Sequence, residues 1–210
     1  MNSFIKTYSG AKVLVTGHTG FKGSWLSIWL NEIGAQVYGI SNGLPTRLNH
    51  FETSGLSKII KDNRADVVNN QDIFNLISEI KPDFIFHLAA QPIVSKSYQN
   101  PLNTYKTNLL GTISILEAIK EINLSTVAVF ITSDKCYENM EWPWGYKETD
   151  KLGGSDPYSA SKACAEIAIS SYFRSFFKNN LSAKIAIGRA GNVIGGGAVS
   201  YTHLRAHETI

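Results

Sequence analysis

A tyrosine and a lysine stand four residues apart, at Tyr158 and Lys162, in a stretch that predicts a helix over residues 157–177. This spacing puts the phenol and the ammonium group on the same face of a helix. A nearby cation favours the phenolate form of tyrosine, so Tyr158 can accept a proton from a hydroxyl group. The pair predicts a general base supported by a cation; a solvated helix face is the alternative.

A second group of reactive side chains follows the apolar run at residues 127–131, which predicts a buried strand. The next residues are Thr132, Ser133, Asp134 and Lys135. Open α/β sheets bind ligands at the carboxyl ends of their strands, so an acid and a base would lie side by side in such a site. The alternative is a surface ion pair between Asp134 and Lys135 in a loop.

Glycine recurs at every third position between the first predicted strand, residues 12–16, and a helix that contains Trp25 and Leu30. Glycine allows a tight turn and a close approach of the backbone to a pyrophosphate, which the N-terminus of the following helix attracts. The residues predicted to bind a dinucleotide here are Gly17, Thr19, Gly20, Phe21, Lys22 and Gly23. The alternative is that these glycines serve only the turn.

Strands and helices alternate along the chain. Apolar runs predict strands at residues 12–16, 36–40, 84–88, 127–132 and 183–187, with a short third strand at Val67 and Val68. Helical periodicity predicts helices at residues 72–79, 102–122 and 157–177, and the polar stretch 41–55 predicts a loop. This alternation indicates an α/β fold, a Rossmann-type doubly wound parallel sheet with helices on both faces.

The composition excludes several classes of protein. A chain of 210 residues that is 43% hydrophobic and 18% charged is typical of one globular domain. It has no apolar run long enough for a membrane span and no secretory signal, so we expect a cytoplasmic protein. The net charge of +3 is spread along the chain, which favours a small anionic ligand over nucleic acid. Cys136 and Cys164 fit neither a disulfide framework nor a metal site.

The glycine turn and the segment Tyr158-Ser159-Ala160-Ser161-Lys162 resemble the extended short-chain dehydrogenase/reductase family of NAD-dependent epimerases and dehydratases. Asp134-Lys135 after the strand narrows the resemblance to the hexose 4,6-dehydratases. The resemblance implies a bound NAD cofactor and a nucleotide-sugar substrate, CDP-glucose, which would be converted to CDP-4-keto-6-deoxyglucose. The alternatives are a nucleotide-sugar 4-epimerase, which needs neither Asp134 nor Lys135, and a dinucleotide-binding fragment without catalysis.

The resemblance also implies cofactor contacts. Asp72 and Ile73 match the family's pair beside the adenine ring, with a helix N-cap as the equal alternative for Asp72. The backbone that passes alongside the cofactor is assigned to Leu88, Ala89 and Ala90.

The choice between NAD and NADP stays open in the sequence. The acidic residue for the adenosine ribose should follow the second strand, where this sequence has Ser41 and Asn42. NADP is therefore an alternative cofactor, with Arg47 and Lys22 as candidates to bind its 2′-phosphate.

In the implied reaction, Tyr158 takes the proton of the C4 hydroxyl, Ser133 positions that hydroxyl, and Lys162 holds the nicotinamide ribose. Lys135 then removes the C5 proton, and a protonated Asp134 in a partly desolvated site donates a proton to the departing C6 hydroxyl. The stored hydride returns to C6. Further substrate contacts are assigned to Gln91 and Asn192.

The resemblance covers about residues 10–197. We therefore predict an NAD(P)-binding domain over residues 1–197, a largely missing substrate-binding part, and an atypical tail at residues 198–210 that is truncated or non-native. The family pairs through two long helices, here 102–122 and 157–177, which implies a homodimer with a four-helix bundle. Asn108 would stabilise a kink in the first helix; an ordinary polar residue is the alternative.

Overall fold

The computed structural model describes residues 3–179 and 182–197. Six parallel strands form one sheet in the order β3-β2-β1-β4-β5-β6. They are β1 (Lys12–Thr16), β2 (Gln36–Ser41), β3 (Lys61–Arg64), β4 (Phe84–His87), β5 (Thr126–Ile131) and β6 (Ala183–Gly188). The strand order reverses between β1 and β4, so ligands are expected at the carboxyl ends of these two strands. The predicted doubly wound sheet is confirmed.

Helices connect the strands. They are α1 (Ser3–Tyr8), α2 (Phe21–Glu32), α3 (His50–Thr53), α4 (Asn70–Ile80), α5 (Val94–Gln99), α6 (Pro101–Tyr105), α7 (Gly111–Ile122) and α8 (Pro157–Tyr172). π-helical turns at Lys106–Leu110 and Phe173–Phe177 join α6 to α7 and extend α8, and 3-10 turns span Leu56–Lys58 and Asp134–Cys136. The predicted helix 102–122 is therefore interrupted by a π-helical turn, and α3 lies in the predicted loop 41–55.

The sheet is covered on both faces, as predicted. On one face α4, α7 and α8 pack on a cluster that includes Leu14, Ile85 and Phe130. On the other face α2 packs on a cluster that includes Val13 and Val15. Val13, Leu14 and Val15 are all fully buried, although they point to opposite faces. This explains why β1 reads as a continuous apolar run.

The predicted third strand at Val67 and Val68 is wrong. The third strand is the polar segment β3 at the edge of the sheet, where it pairs with β2 alone. An edge strand is partly solvent-exposed, so it needs no apolar run. Val67 follows β3 in a turn, and its buried side chain packs against Gly111 at the start of α7.

Neither a membrane-spanning helix nor a metal-binding group of side chains occurs in the part of the chain that the structure describes. Within residues 3–179 and 182–197, no helix is long and apolar enough to cross a bilayer. The same residues contain no group of three or more His, Cys, Asp and Glu side chains placed to hold a metal ion. The predicted tail at residues 198–210 lies outside the described residues.

Candidate active site

The glycine turn joins β1 to α2 at the carboxyl edge of the sheet. Gly17 has a φ of 71°, a left-handed conformation that favours glycine. A Cβ atom at Gly17 would lie 2.8 Å from the backbone of Ala89, and one at Gly23 would lie 2.1 Å from the Gly17 carbonyl oxygen. Gly20, the N-cap residue of α2, provides no side-chain cap. An anion can take the place of that cap at the helix N-terminus.

Polar side chains at the ends of β2 and β3 bond to the turn and to one another. The hydroxyl oxygens of Thr19 and Ser41 are 2.7 Å apart, and Thr19 donates to the Gly43 carbonyl oxygen. Asn42 donates its side-chain N–H to the carboxylate of Asp66 at 3.2 Å. Two carboxylates therefore lie at this edge: Asp66 comes from the residues after β3, and Asp62, in β3 itself, forms a hydrogen bond of 2.9 Å with His18 of the glycine turn. Asp66 was not among the predicted site residues, because the third strand was predicted at Val67 and Val68, after Asp66, and not at β3.

Asp72 and Ile73 lie in the first turn of α4. The N-cap residue is Asn69, whose side-chain oxygen accepts from the Asp72 N–H, while Asp72 accepts in return from the Asn69 side chain at 2.6 Å. The N-cap alternative for Asp72 is therefore wrong. The side chain of Ile73 is fully buried in the core. A cofactor contact by this pair stays a prediction.

A buried chain of hydrogen bonds fixes the segment after β4. Thr16 accepts from the backbone N–H groups of Leu88 and Ala89, each at 3.1 Å, and donates to His87 Nδ1 at 2.8 Å. Burial lowers the pKa of His87 to about 3, so its ring is neutral. Its Nε2 lies 3.2 Å from the Thr112 hydroxyl and donates to it. These bonds hold the predicted cofactor-contacting segment beside the glycine turn.

Asn108 lies in the π-helical turn between α6 and α7 and is 2% exposed. Its side chain accepts from the Gln91 N–H at 2.8 Å and donates to the Gln91 carbonyl oxygen at 3.2 Å and to the Ser161 hydroxyl at 2.8 Å. The ordinary-residue alternative for Asn108 is therefore wrong. Gln91 uses its side-chain amide within its own loop and also donates to the Thr104 hydroxyl of α6 at 3.0 Å. Its predicted substrate contact stays a prediction.

Ser133, Asp134 and Lys135 form a turn at the carboxyl end of β5. Ser133 Oγ accepts from the Lys135 N–H at 3.2 Å and donates to the Asp134 carboxylate at 3.0 Å. Ser133 is 5% exposed, whereas Asp134 and Lys135 are exposed. The described residues therefore do not supply the desolvated surroundings that were expected for Asp134.

Tyr158 and Lys162 are both buried on α8. The ammonium group of Lys162 donates to the Ile131 carbonyl oxygen at the end of β5 at 3.2 Å. Burial, and then the charge of Lys22, lowers the pKa of Lys162 to about 8. Burial also lowers the pKa of Lys22, while the charge of Asp134 opposes that shift. The structure thus gathers two lysines and an acid at this edge of the sheet, which favours an anionic ligand.

A cleft of ≈ 1140 Å³ opens beside the turn at β5 and is lined in part by Asp134 and Lys135. Glu166 and Arg189 form an ion pair at its side, with 2.6 Å between Nη2 and Oε2. The sequence analysis missed Glu166, although it stands four residues after Lys162 on the same helix. Asn192, a predicted substrate contact, is exposed in the segment after β6.

The chain is similar to known nucleotide-sugar enzymes. The family model described as GDP-mannose 4,6 dehydratase matches residues 14–188. A CDP-glucose 4,6-dehydratase of Salmonella typhimurium is 47% identical over 194 residues, which are 90% of this chain and 54% of that protein. A GDP-mannose 4,6-dehydratase of Vibrio cholerae is 29% identical over 79% of this chain and 46% of its own length. The chain spans about half the length of the curated relatives it matches.

Solved structures share the fold. The UDP-glucose 4-epimerase of Thermotoga maritima, solved with UDP-glucose, has a TM-score of 0.77 at 24% identity and covers 89% of this chain and 57% of its own. The UDP-glucose 4-epimerase of Thermus thermophilus, solved with NAD, has a TM-score of 0.76 at 29% identity and covers 88% of this chain and 56% of its own. Both likenesses agree with the observed parallel sheet.

Proposed function

Since the chain belongs to the GDP-mannose 4,6-dehydratase family, we propose that it carries the cofactor-binding and catalytic part of a nucleotide-sugar 4,6-dehydratase, an NAD-dependent lyase. The observation that carries this proposal is the turn Ser133, Asp134 and Lys135 at the carboxyl end of β5, the strand end to which Lys162 of α8 donates a hydrogen bond at the Ile131 carbonyl oxygen. The proposed substrate is CDP-glucose. It is supported by the 47% identical Salmonella protein of that activity.

The glycine turn and its surroundings fit NAD. The uncapped N-terminus of α2 and the two lysines suit a diphosphate, and a Cβ atom at Gly17 or Gly23 would collide with backbone. Bound NAD would supply the chemistry of taking hydride from C4 and giving it back at C6. The solved epimerase of Thermus thermophilus, whose structure contains NAD, supports this choice.

NAD is favoured over NADP by the charges near β2. Asp66, held by Asn42, would accept a hydrogen bond from an adenosine ribose hydroxyl and repel a 2′-phosphate. Lys22, one of the two candidates for that phosphate, instead interacts electrostatically with Asp134 and Lys162. Only the exposed Arg47 is left from the pair that pointed to NADP.

The first proposed step is removal of the C4 hydroxyl proton. Tyr158, held as the phenolate by the nearby ammonium group of Lys162, accepts this proton and becomes the neutral phenol, while the Ser133 hydroxyl orients the C4 oxygen. Burial of Tyr158, Lys162 and Ser133 excludes water from their charges and strengthens these interactions. The resulting C4 ketone acidifies the hydrogen at C5.

The second proposed step removes water across C5 and C6. Lys135, as a neutral amine, takes the C5 proton, and the carboxylic acid of Asp134 gives its proton to the departing C6 hydroxyl. Ser133 holds the Asp134 carboxyl group through its 3.0 Å hydrogen bond. With the hydride given back at C6, Lys135 returns the proton to C5, so the sugar leaves as CDP-4-keto-6-deoxyglucose with no net oxidation.

The assembly and location are also proposals. Exposed apolar side chains on the two predicted bundle helices support a homodimer; they are Leu102, Leu110, Ile167, Phe173 and Phe176. Cys136 and Cys164 are both free thiols, which agrees with a reducing cytoplasm.

A paired substitution separates this function from 4-epimerisation. Replacing Asp134→Asn together with Lys135→Met should reduce water loss from CDP-glucose by about 10²–10⁴-fold, because both proton-transfer groups are gone, while NAD binding changes less than about twofold. The measurements are mass spectrometry of the nucleotide sugar and calorimetry of NAD binding.

The control is Lys151→Met, because Lys151 follows an aspartate as Lys135 does but is 79% exposed outside the β5 turn and ion-paired with Glu138. It should leave water loss unchanged. Interconversion of CDP-glucose and its C4 epimer that survives the substitution at Asp134 and Lys135 would instead identify an epimerase.

A further inference from the structure

Glu166 is a buried carboxylate that the proposed reaction does not use. It lies on α8, is 2% exposed, and accepts hydrogen bonds from four donor groups on three residues. Thr132 donates its hydroxyl to Oε1 at 2.6 Å, and Cys136 donates its thiol to the same oxygen at 3.2 Å. Arg189 donates from Nε at 2.8 Å and from Nη2 at 2.6 Å. A buried charge with this many partners has a defined orientation.

The two donors on the β5 side flank the proposed acid and base. Thr132 precedes Ser133, and Cys136 follows Lys135, so one carboxylate oxygen binds both ends of the three-residue segment. Asp134 and Lys135 are exposed. The Asp134 N–H donates to the Ala190 carbonyl oxygen and the Lys135 N–H to Ser133 Oγ, and neither of these bonds reaches α8. Their place relative to α8 therefore depends on their two neighbours.

We propose that Glu166 is a positioning residue, which holds Ser133, Asp134 and Lys135 against the helix that carries Tyr158 and Lys162. This inference rests on the proposed dehydratase function, because that function gives the segment its catalytic role. Glu166 does not touch the substrate; it acts through Thr132 and Cys136.

Arg189 is the third residue that donates hydrogen bonds to Glu166. Its charge compensates the buried carboxylate, and removing either partner would leave the other charge unpaired. Its guanidinium carbon also lies 4.6 Å from the ring centroid of Tyr137, the residue directly after Cys136, and Nη1 donates to the Glu148 carbonyl oxygen. Arg189 thus connects Glu166 to Tyr137, which follows the acid and the base in the chain.

Amide hydrogen exchange of the 210-residue chain, read by mass spectrometry, tests this inference without any turnover. Glu166→Gln keeps the side-chain shape, but its NH2 group would face the donors of Arg189 and the negative charge is lost. We expect the amides of residues 134–137 to exchange about tenfold faster, as loss of hydrogen bonds to a charged group implies. The amides of β4 should be unchanged.

Glu117→Gln is the control. Glu117 also accepts bonds from a cation and a hydroxyl, Lys120 and Tyr172, but it lies on α7 away from the β5 turn. It should leave exchange at residues 134–137 unchanged. Equal protection of these amides in the Glu166→Gln and unsubstituted chains, or faster exchange throughout the molecule, would overturn the positioning role.

Thr132→Val keeps the inference testable if Glu166→Gln does not fold. Valine has the shape of threonine without the hydroxyl, so only one of the two anchors is lost. We expect the same amides to exchange roughly threefold faster. No change in the Thr132→Val chain would contradict the inference.

The pH profile of Cys136 alkylation, measured in a Cys164→Ser chain, separates positioning from packing. Burial, followed by the hydrogen bond and charge of Glu166, raises the pKa of Cys136 to about 12, while Arg189 opposes the shift and Lys162 is the other charge that interacts with the thiol. Glu166→Gln should move the profile to lower pH. A residue that only fills space would leave the profile unchanged.

These readouts separate two failures. A chain that shows the exchange and alkylation changes but never removes water from CDP-glucose would disprove the dehydratase function and leave the contacts of Glu166 in place. A chain that removes water with unchanged exchange in Glu166→Gln would disprove only the positioning role.

Discussion

We expect the protonation of Lys162 to be linked to the proposed binding of NAD. Burial and the charge of Lys22 lower the pKa of Lys162 to about 8, so keeping Lys162 charged in the folded chain costs free energy. An anionic ligand beside the two lysines relieves that cost and raises the pKa of Lys162. Binding of NAD is therefore expected to take up a proton when the pH is above about 8.

The affinity for NAD should accordingly fall as pH rises from about 7 to 10, with a limiting slope near tenfold per pH unit once Lys162 is neutral. Calorimetry in buffers of different ionisation enthalpy measures both the affinity and the proton uptake. In Lys162→Arg, whose side chain stays charged, the part of the slope due to Lys162 should vanish. An affinity that is independent of pH in the unsubstituted chain would contradict this role.

At the scale of elements, the β1 to α2 turn depends on close backbone packing. A methyl group at position 23 would lie 2.1 Å from the Gly17 carbonyl oxygen, so α2 would have to move away from the turn. Gly23→Ala should lower the free energy of unfolding by about 1–3 kcal/mol and weaken NAD binding by more than about tenfold. Chemical denaturation and calorimetry measure the two effects.

Gly43→Ala is the matched control for this substitution, because a Cβ atom there meets nothing within 4 Å. It should change the free energy of unfolding by less than about 0.5 kcal/mol. If both alanine variants bind NAD like the unsubstituted chain, the turn is not the diphosphate site.

The elements also explain what the sequence could and could not predict. β1, β4 and β5 are buried inside the sheet, so their apolar runs identified them directly. The edge strand β3 is polar, so the apolar pair Val67 and Val68 gives the stronger strand signal in this region. A strand predicted there leaves no reason to expect a site residue at Asp66. The family resemblance implied a kink at Asn108, but the apolar stripe alone does not show the π-helical turn there, because the stripe passes through such a turn without a break in composition.

The candidate site was predictable where its residues stand close in sequence. The pair Tyr158 and Lys162 and the turn at Ser133 were found from spacing and from their place after a strand. Glu166 was not found, because its partners Thr132, Cys136 and Arg189 come from other parts of the chain. Only the fold brings these partners together.

At the scale of the whole molecule, the exposed apolar side chains of α8 and its neighbours predict a dimer. Ile167 on α8 is 58% exposed and is one of the five exposed apolar side chains on the two proposed bundle helices. Light scattering after size exclusion should give about twice the chain mass of 23.1 kDa, and Ile167→Lys should return the mass to that of one chain. A lysine would have to be desolvated in the interface.

Leu48→Lys is the control for the dimer, because Leu48 is 80% exposed and lies outside the proposed bundle helices. It should leave the mass of the assembly unchanged. A mass of one chain for the unsubstituted protein would refute the proposed bundle.

We propose that this chain moves hydride from C4 to C6 of CDP-glucose and removes water between the two hydride transfers. The most direct measurement is mass spectrometry and NMR of CDP-glucose carrying deuterium at C4, after incubation with the chain and NAD. If hydride moves from C4 to C6, we expect a product that has lost one water and carries the deuterium at C6. Sugar of unchanged mass with deuterium still at C4, whether epimerised or not, would contradict it.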